Sequence, residues 1–172
     1  MDGITYRDRF LDHPEDLFRY LETQIAWDER MAARKTASFG VAYNYSQVHY
    51  PFQPMPPALA SVCDALERTL GFRPNNCLLN YYRDGRSKMG YHSDQTDILA
   101  PDTGVAIVSL GECRTLRFRN IADPTLTHDV PLPAGSLLYM TQRVQHEWQH
   151  AIPRTDTDQG RISLTFRRMQ PE

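Results

Sequence analysis

The chain is short of cysteine, of long apolar runs and of net charge, and each shortage removes a class of protein. Its three cysteines, Cys63, Cys77 and Cys113, form no Cys-x-x-Cys pair and leave one thiol over in any disulfide scheme. A disulfide scaffold is therefore excluded, and reduced thiols in a reducing compartment, the cytoplasm by default, are expected. No stretch approaches the roughly 20 apolar residues that span a bilayer, and the opening Met1-Asp2-Gly3-Ile4 has neither the basic nor the apolar region of a signal peptide. A membrane partner is thus not expected. A formal charge of -2 rules out a broad cationic surface, so any contact with nucleic acid would need a local basic patch. Repeats, low-complexity tracts and linkers are also missing. The 172 residues, 41% of them apolar, suit one domain with one core, and a monomer spanning 1–172 is the expectation.

What is present is ordered from helix to strand along the chain. Asp12 can N-cap a helix starting at Pro14, with Leu17, Leu21 and Ile25 forming its apolar stripe. A second helix is expected from Pro56 and Pro57, carrying Leu59, Val62, Leu66 and Leu70 and ending at Gly71. Between them Lys35 to His49, rich in Tyr and Thr, reads as an extended hairpin. From Cys77 onward the pattern becomes short β-type runs: Cys77 to Tyr82, Gly104 to Leu110, Leu116 to Arg119, Ser136 to Met140 and Ile162 to Phe166. Asp84-Gly85, Gly111-Glu112 and Pro133-Ala134-Gly135 punctuate them. Two helices followed by many short strands imply a mainly β (α+β) fold, a sandwich or jelly roll with helices against one side.

The chemistry is concentrated in four short segments. In Gly90-Tyr91-His92-Ser93-Asp94, a strand would point His92 and Asp94 to the same side, so both could reach one metal ion. Chance also supplies such pairs: His13-Pro14-Glu15 is another, at a helix start where Glu15 is better read as a first-turn acid. The downstream run Gln149-His150-Ala151-Ile152-Pro153 offers a second histidine, and two histidines with one carboxylate make the facial triad of non-haem Fe(II) sites. Three open positions on such an ion can take a bidentate co-substrate and O2.

The last strand alternates. Ile162, Leu164 and Phe166 face one way while Arg161, Ser163, Thr165 and Arg167 face the other. Two arginines on an interior face are costly unless an anion meets them. A dicarboxylate such as 2-oxoglutarate fits, because a guanidinium pairs with a carboxylate through two parallel hydrogen bonds. Leu78, Asn80 and Tyr82 share one face of an earlier strand, from which Asn80 and Tyr82 could donate to the same acid. Met89 and Tyr91 read as packing. Arg117 and Arg119, opposite Leu116 and Phe118, read as a solvated face with phosphate contact as the alternative.

Together these segments resemble the AlkB family of oxidative nucleic-acid demethylases. Asn80-Tyr81-Tyr82-Arg83-Asp84-Gly85 is similar to its Asn-x-Tyr strand, Gly90 to Asp94 to its His-x-Asp, Trp148 to Pro153 to its second-histidine segment, and Arg161 to Arg167 to its Arg-x-Asn-x-Thr-Phe-Arg. Arg34 to Gly40 and Tyr43-Asn44-Tyr45-Ser46 extend the likeness, which covers about 34–168. The resemblance implies a double-stranded β-helix with N-terminal helices, its jelly-roll core over 77–168, and Fe(II) held by His92, Asp94 and His150. It implies that Arg161 takes the distal carboxylate of 2-oxoglutarate with help from Tyr82, while Asn80 and Arg167 hold the end nearer the metal. Residues 34–52 would form a nucleotide-recognition lid, with an aromatic such as Tyr43 or Tyr45 stacking on an extruded base.

The pattern is departed from twice. Ser163 stands where the family has Asn, and Thr96 stands where repair members place an acid, leaving Asp97 nearby as a candidate substrate contact. These departures touch the substrate more than the chemistry. The leading expectation is an enzyme that removes alkyl groups from bases in DNA or RNA using Fe(II), 2-oxoglutarate and O2. A hydroxylase of a small molecule or peptide on the same fold is the second reading. A non-catalytic metal-binding module is the third, disfavoured because the arginines accompany the triad.

Overall fold

A computed structural model describes residues 1–45 and 48–171, without the side chains of Tyr45 and Val48. In chain order the elements are β1 (Ile4–Arg7), α1 (Pro14–Gln24), β2 (Lys35–Gly40), β3 (Tyr43–Tyr45), β4 (Val48–Tyr50), α2 (Pro57–Leu70) and β5 (Asn76–Tyr82). There follow β6 (Met89–His92), β7 (Val105–Gly111), β8 (Arg114–Asn120), β9 (Thr127–Leu132), β10 (Leu137–Met140), α3 (Gln142–Glu147), β11 (Trp148–Ile152) and β12 (Arg161–Arg167). No described helix is long and apolar enough to cross a membrane.

Two antiparallel sheets face each other. The larger runs β1-β10-β7-β12-β5-β2 and the smaller β6-β11-β8-β9, while β3 and β4 form a separate hairpin. Alternation along the central strands decides what each face meets. On one face of the large sheet, Cys77 and Leu79 of β5, Val108 and Leu110 of β7, and Ile162, Leu164 and Phe166 of β12 are buried with Leu21 of α1 and Leu59, Val62 and Leu66 of α2. On the other face, Tyr82, Ile107 and Leu138 pack toward Leu116, Phe118 and Ile152 of the small sheet. Helices thus cover the outside of the large sheet. The space between the sheets is left for the polar residues of β5 and β12.

Both expected helices form, with one change of detail. The cap position of α1 is His13, not Asp12, and no side chain caps it. Pro14 in the first turn lacks an N–H that would need one. Helix α2 ends where expected, on Gly71 at φ 84°, a left-handed turn whose N–H returns to the Glu67 carbonyl.

The hairpin expected over Lys35 to His49 is corrected. Lys35–Gly40 is an edge strand of the large sheet, paired with β5 from Lys35 opposite Tyr81 to Gly40 opposite Asn76. The hairpin is confined to β3 and β4, Tyr43 opposite Tyr50. Composition marked this stretch as β-rich, but pairing with a strand 36 to 46 residues away is set by the helix-covered apolar side of β2, where Ala37 and Phe39 enter the core. The 34–52 segment expected as a lid therefore begins with a strand of the large sheet.

Candidate metal and co-substrate centre

The register of the small sheet brings the metal-binding candidates together. Pairing of β11 with β6 sets His150 directly opposite His92, their ring centroids 4.4 Å apart. Asp94 lies beyond the end of β6, so it reaches the pair from a loop and not, as expected, from two positions along one strand. That loop is fixed on both sides: the Asp94 N–H donates to Gln145 Oε1 at 2.8 Å, and the Ser93 hydroxyl donates to the Trp148 carbonyl at 2.8 Å. Gln145 comes from α3 and is buried. Asp94 Oδ1 is 3.4 Å from His92 Nε2 and 3.8 Å from His150 Nε2, and ligand atoms from the three residues lie within 4.8 Å of one another.

Their electrostatics favour an open donor set. The His92 Nδ1 faces the Gly90 carbonyl at 2.9 Å and must carry the proton, which leaves Nε2 as the lone-pair donor toward Asp94. Burial works against charge on His92, but the adjacent Asp94 carboxylate outweighs it and raises the pKa. For His150 burial dominates and pushes the pKa down to about 4, so this imidazole is neutral near pH 7. Burial would raise the Asp94 pKa, yet Arg167, His150 and His92 together hold it well below the usual carboxylate range. Two imidazole Nε2 atoms and a carboxylate oxygen converge, the mixed nitrogen and oxygen donor set that suits Fe(II).

Facing the triad across the gap is the polar side of β12. Arg161, 1% exposed, and Arg167, 4% exposed, are both buried. Arg161 donates to Ser109 Oγ at 3.0 Å and lies over the Tyr82 ring, while Arg167 approaches Asp94 at 3.6 Å and lies over the Tyr43 ring. In each guanidinium Nε and Nη1 have no hydrogen-bond partner. Buried cationic donors left without acceptors are expensive. They mark room for an anion, and their spacing along one strand face suits a dicarboxylate that also reaches the metal. The residues present therefore fit both Fe(II) and 2-oxoglutarate.

The cavity between these groups has a volume of about 420 Å³ and is lined on the β3–β4 side by Tyr43 and Tyr50. Leu78, Asn80 and Tyr82 from β5, and Ser163 and Thr165 from β12, line it as their alternation predicts. Met89 and Tyr91, read as packing, line it too. Tyr43 lies in the wall as a buried ring; the Tyr45 side chain and Ser46 fall outside the described residues. Thr96 and Asp97 are not in the wall. Thr96 Oγ1 instead meets His146 Nε2 at 3.1 Å on the outside of α3, and Asp97 is exposed, because the chain turns away from the cavity after Asp94.

Several lining or supporting residues escaped the sequence reading. Arg34 donates from Nε to Asn80 Oδ1 at 2.7 Å, so that acceptor already has a partner. The Tyr50 hydroxyl bonds the Thr36 hydroxyl and donates to Asp28 at 3.0 Å, closing the mouth on the hairpin side. Arg114 is buried against the back of Tyr82, 5.6 Å from its ring centroid, and donates to the carbonyls of Asp84, Ser87 and Pro153. Gly85 completes that knot. A Cβ there would stand 1.9 Å from the Thr155 carbonyl oxygen, and the Gly85 N–H and C=O pair with Thr157 and Thr155. Single-residue periodicity carries no signal for such loop-to-loop contacts. Of these, Arg34, Thr36 and Gly85 lie inside segments that carry the family resemblance, which assigns them no such contacts.

A metal triad at one wall of a double-stranded β-helix and two unsatisfied arginines at the other make the kind of site found in non-haem iron oxygenases that use a 2-oxo acid. The chain belongs to the 2OG-Fe(II) oxygenase superfamily, whose family description matches residues 15–167. It is 31% identical over 170 residues to the alpha-ketoglutarate-dependent dioxygenase alkB homolog 3 of Rattus norvegicus, covering 86% of this chain and 57% of that protein. To the DNA oxidative demethylase ALKBH2 of Mus musculus it is 35% identical over 149 residues, 80% of this chain and 62% of the relative. The chain thus spans less than two thirds of these relatives. The solved structure of OsALKBH1 superposes with a TM-score of 0.71 at 18% identity, covering 98% of this chain and 99% of the other, which establishes the shared fold.

Proposed function

We propose that the protein oxidatively removes alkyl groups from bases of DNA or RNA, with His92, Asp94 and His150 holding Fe(II) and Arg161 and Arg167 holding 2-oxoglutarate. The observation that carries the reading is the single cavity in which the triad faces two buried arginines with unpaired donors, beneath a mouth edged by Tyr43, Tyr50 and Tyr91. Similarity to proteins named as an alpha-ketoglutarate-dependent dioxygenase and a DNA oxidative demethylase supports it. Three free cysteines suit the reducing surroundings that ferrous iron needs, and a monomer in the cytoplasm is part of the same proposal.

Bound iron supplies oxidation of an unactivated C–H bond, with 2-oxoglutarate as the source of two electrons and succinate and CO2 as its products. The chain's residues supply position. Arg161 and Tyr82 would anchor the far carboxylate, and Arg167, on the same strand face, the end toward Asp94. Ser163 and Thr165 fill the floor between them without displacing the acid. Leu116 and Ile152 close the apolar back of the cavity and restrict water there. Aromatic edges at the mouth hold a base extruded from its strand, since stacking needs no Watson-Crick edge. Hydroxylation of an N-methyl group yields a hydroxymethyl amine that falls apart to formaldehyde and the free base.

The test is incubation with Fe(II), ascorbate, 2-oxoglutarate and methylated oligonucleotides, following succinate and formaldehyde together. Stoichiometric release of both, dependent on the methylated base, is expected. Substrate-stimulated succinate without loss of any base methyl group would favour hydroxylation of another kind of molecule.

A further inference from the structure

We propose that the cavity selects neutral alkylated bases over cationic ones and that Arg34 sets this preference; the inference rests on the base-demethylation reading above. It follows from the charges that line the cavity. Among the described lining residues Arg34, Arg161 and Arg167 are permanently cationic, and Asp94 is the one carboxylate. Asp94 is already committed, with both histidine Nε2 atoms and Arg167 within 3.8 Å of it. A dicarboxylate co-substrate would balance Arg161 and Arg167. Nothing in the wall balances Arg34.

Arg34 meets neutral oxygens instead. Its Nε donates to Asn80 Oδ1 at 2.7 Å and its Nη1 to the Lys88 carbonyl at 3.5 Å. These bonds fix the guanidinium between the start of β2 and the loop before β6, at the side where a base would enter, and leave its charge in place. The two acids closest in the chain are taken: Glu29 pairs with Lys35 at 2.8 Å, and Asp28 is held by Arg30 at 2.5 Å and by the Tyr50 hydroxyl. Aromatic faces can receive a cation, but three of the four described lining tyrosines are engaged. Arg167 lies over Tyr43 at 5.2 Å, Arg161 over Tyr82 at 5.2 Å and Arg119 over Tyr91 at 3.8 Å. A cationic base would therefore enter a partly desolvated, net positive cavity in which no described carboxylate is free to receive its charge and, Tyr50 apart, each described tyrosine ring already carries an arginine. A neutral base loses nothing to that field, and its carbonyl oxygens can accept hydrogen bonds from Arg34.

Pairs of methylated bases of matched shape isolate the charge. 3-Methylcytosine is cationic at neutral pH, and 3-methylthymine, with its methyl group in the same place, is neutral; 1-methyladenine and 1-methylguanine form the corresponding purine pair. Each base is placed in one oligonucleotide sequence and kcat/KM is measured from formaldehyde release. Equilibrium binding of the same oligonucleotides is followed by fluorescence anisotropy with Zn(II) in place of iron, so that no turnover occurs. The expected result is a preference of about tenfold or more for the neutral member in both measurements. Arg34→Gln, which keeps a donor for Asn80 but removes the charge, should narrow that ratio by improving the cationic substrate. Arg34→Lys should preserve it. Unchanged thermal unfolding of both variants guards against a folding effect. Equal or better use of 3-methylcytosine and 1-methyladenine by the wild type overturns the inference, and so does a ratio that Arg34→Gln leaves unmoved. Failure to demethylate any of the four overturns the base-demethylation reading and the inference with it.

Discussion

The two ends of the cavity are built on different principles. Its inner end is a strand face: Arg161, Ser163, Thr165 and Arg167 project from β12, which is paired on both sides, by β5 and β7. Its mouth is an assembly of pieces distant in sequence, with Arg34 ahead of an edge strand, Tyr50 on the hairpin and Tyr91 on the small sheet. A face flanked by ladders holds a cofactor in one place, whereas loops and edges can change without disturbing the scaffold. Chemistry is thereby separated from selection within one cavity.

The comparison is broken most severely at the metal. Asp94→Ala removes the carboxylate that both imidazoles and Arg167 face, and substrate-stimulated succinate formation should fall to background. Loss of Fe(II) binding, measured by equilibrium dialysis, should accompany it. Persistent turnover would place the metal elsewhere.

Next in size is the contrast between two arginines stacked on the same tyrosine. Arg161 leaves Nε and Nη1 unpaired and waits for an anion, while Arg114, with only Nε unpaired, gives both terminal nitrogens to three backbone carbonyls. Arg161→Met should weaken 2-oxoglutarate binding about a hundredfold, as loss of one partner of a buried charge pair does. The ligand-free variant should melt no lower than the wild type, because an uncompensated buried charge has gone. Arg114→Met should do the reverse, lowering stability by about 3 kcal/mol through three stranded carbonyls and raising the KM for 2-oxoglutarate only modestly. Calorimetry with and without 2-oxoglutarate separates the two.

Legibility in the sequence follows the same division. The β12 face was readable because Arg-x-Ser-x-Thr-x-Arg alternates with Ile-x-Leu-x-Phe, and a period of two has one structural meaning there. Helix α2 was readable from its prolines and Gly71. The facing of His92 and His150 was reached only through resemblance, since strand register across 58 residues leaves no local trace. Short β9 and β11 went unmarked for a related reason: five or six residues carry too little pattern when one face is half exposed. Thr96 and Asp97 were candidates by resemblance alone, and the chain, which leaves the sheet after His92, carries them outside the cavity wall. Arg34 and Gln145 act through contacts to Asn80 and Asp94 that only the fold creates.

A pH titration tests the inner end without a substitution. The folded-state pKa of His150 lies at about 4, below its ordinary 6.5, so the metal-free native state binds this proton less readily than the unfolded chain. Its contribution is fully present above about 6.5 and is lost as pH falls toward 4, on the order of 3 kcal/mol. His92, with a raised pKa, contributes with the opposite sign, its stabilisation present in acid and lost as pH rises through its folded value. Urea unfolding of chelator-treated protein should show the net loss on acidification, and His150→Asn should flatten it. A profile unchanged by that substitution would mean that His150 is not held neutral by burial.

The smallest effect is expected at the outer rim. Arg119 lies 3.8 Å from the Tyr91 ring centroid and donates to Gln149 Oε1 at 2.7 Å, on the side of the small sheet away from the co-substrate arginines. Arg119→Ala removes one cation–π contact and one hydrogen bond at a partly exposed position, for about 0.5–1 kcal/mol of stability. Because Tyr91 lines the mouth and not the β12 wall, the KM for 2-oxoglutarate should stay constant while the KM for a methylated oligonucleotide rises a few-fold. Steady-state kinetics with each substrate varied in turn will read both. A matching rise in the 2-oxoglutarate KM would show that the rim and the inner end are mechanically coupled, and the separation of chemistry from selection would fail at its outermost residue.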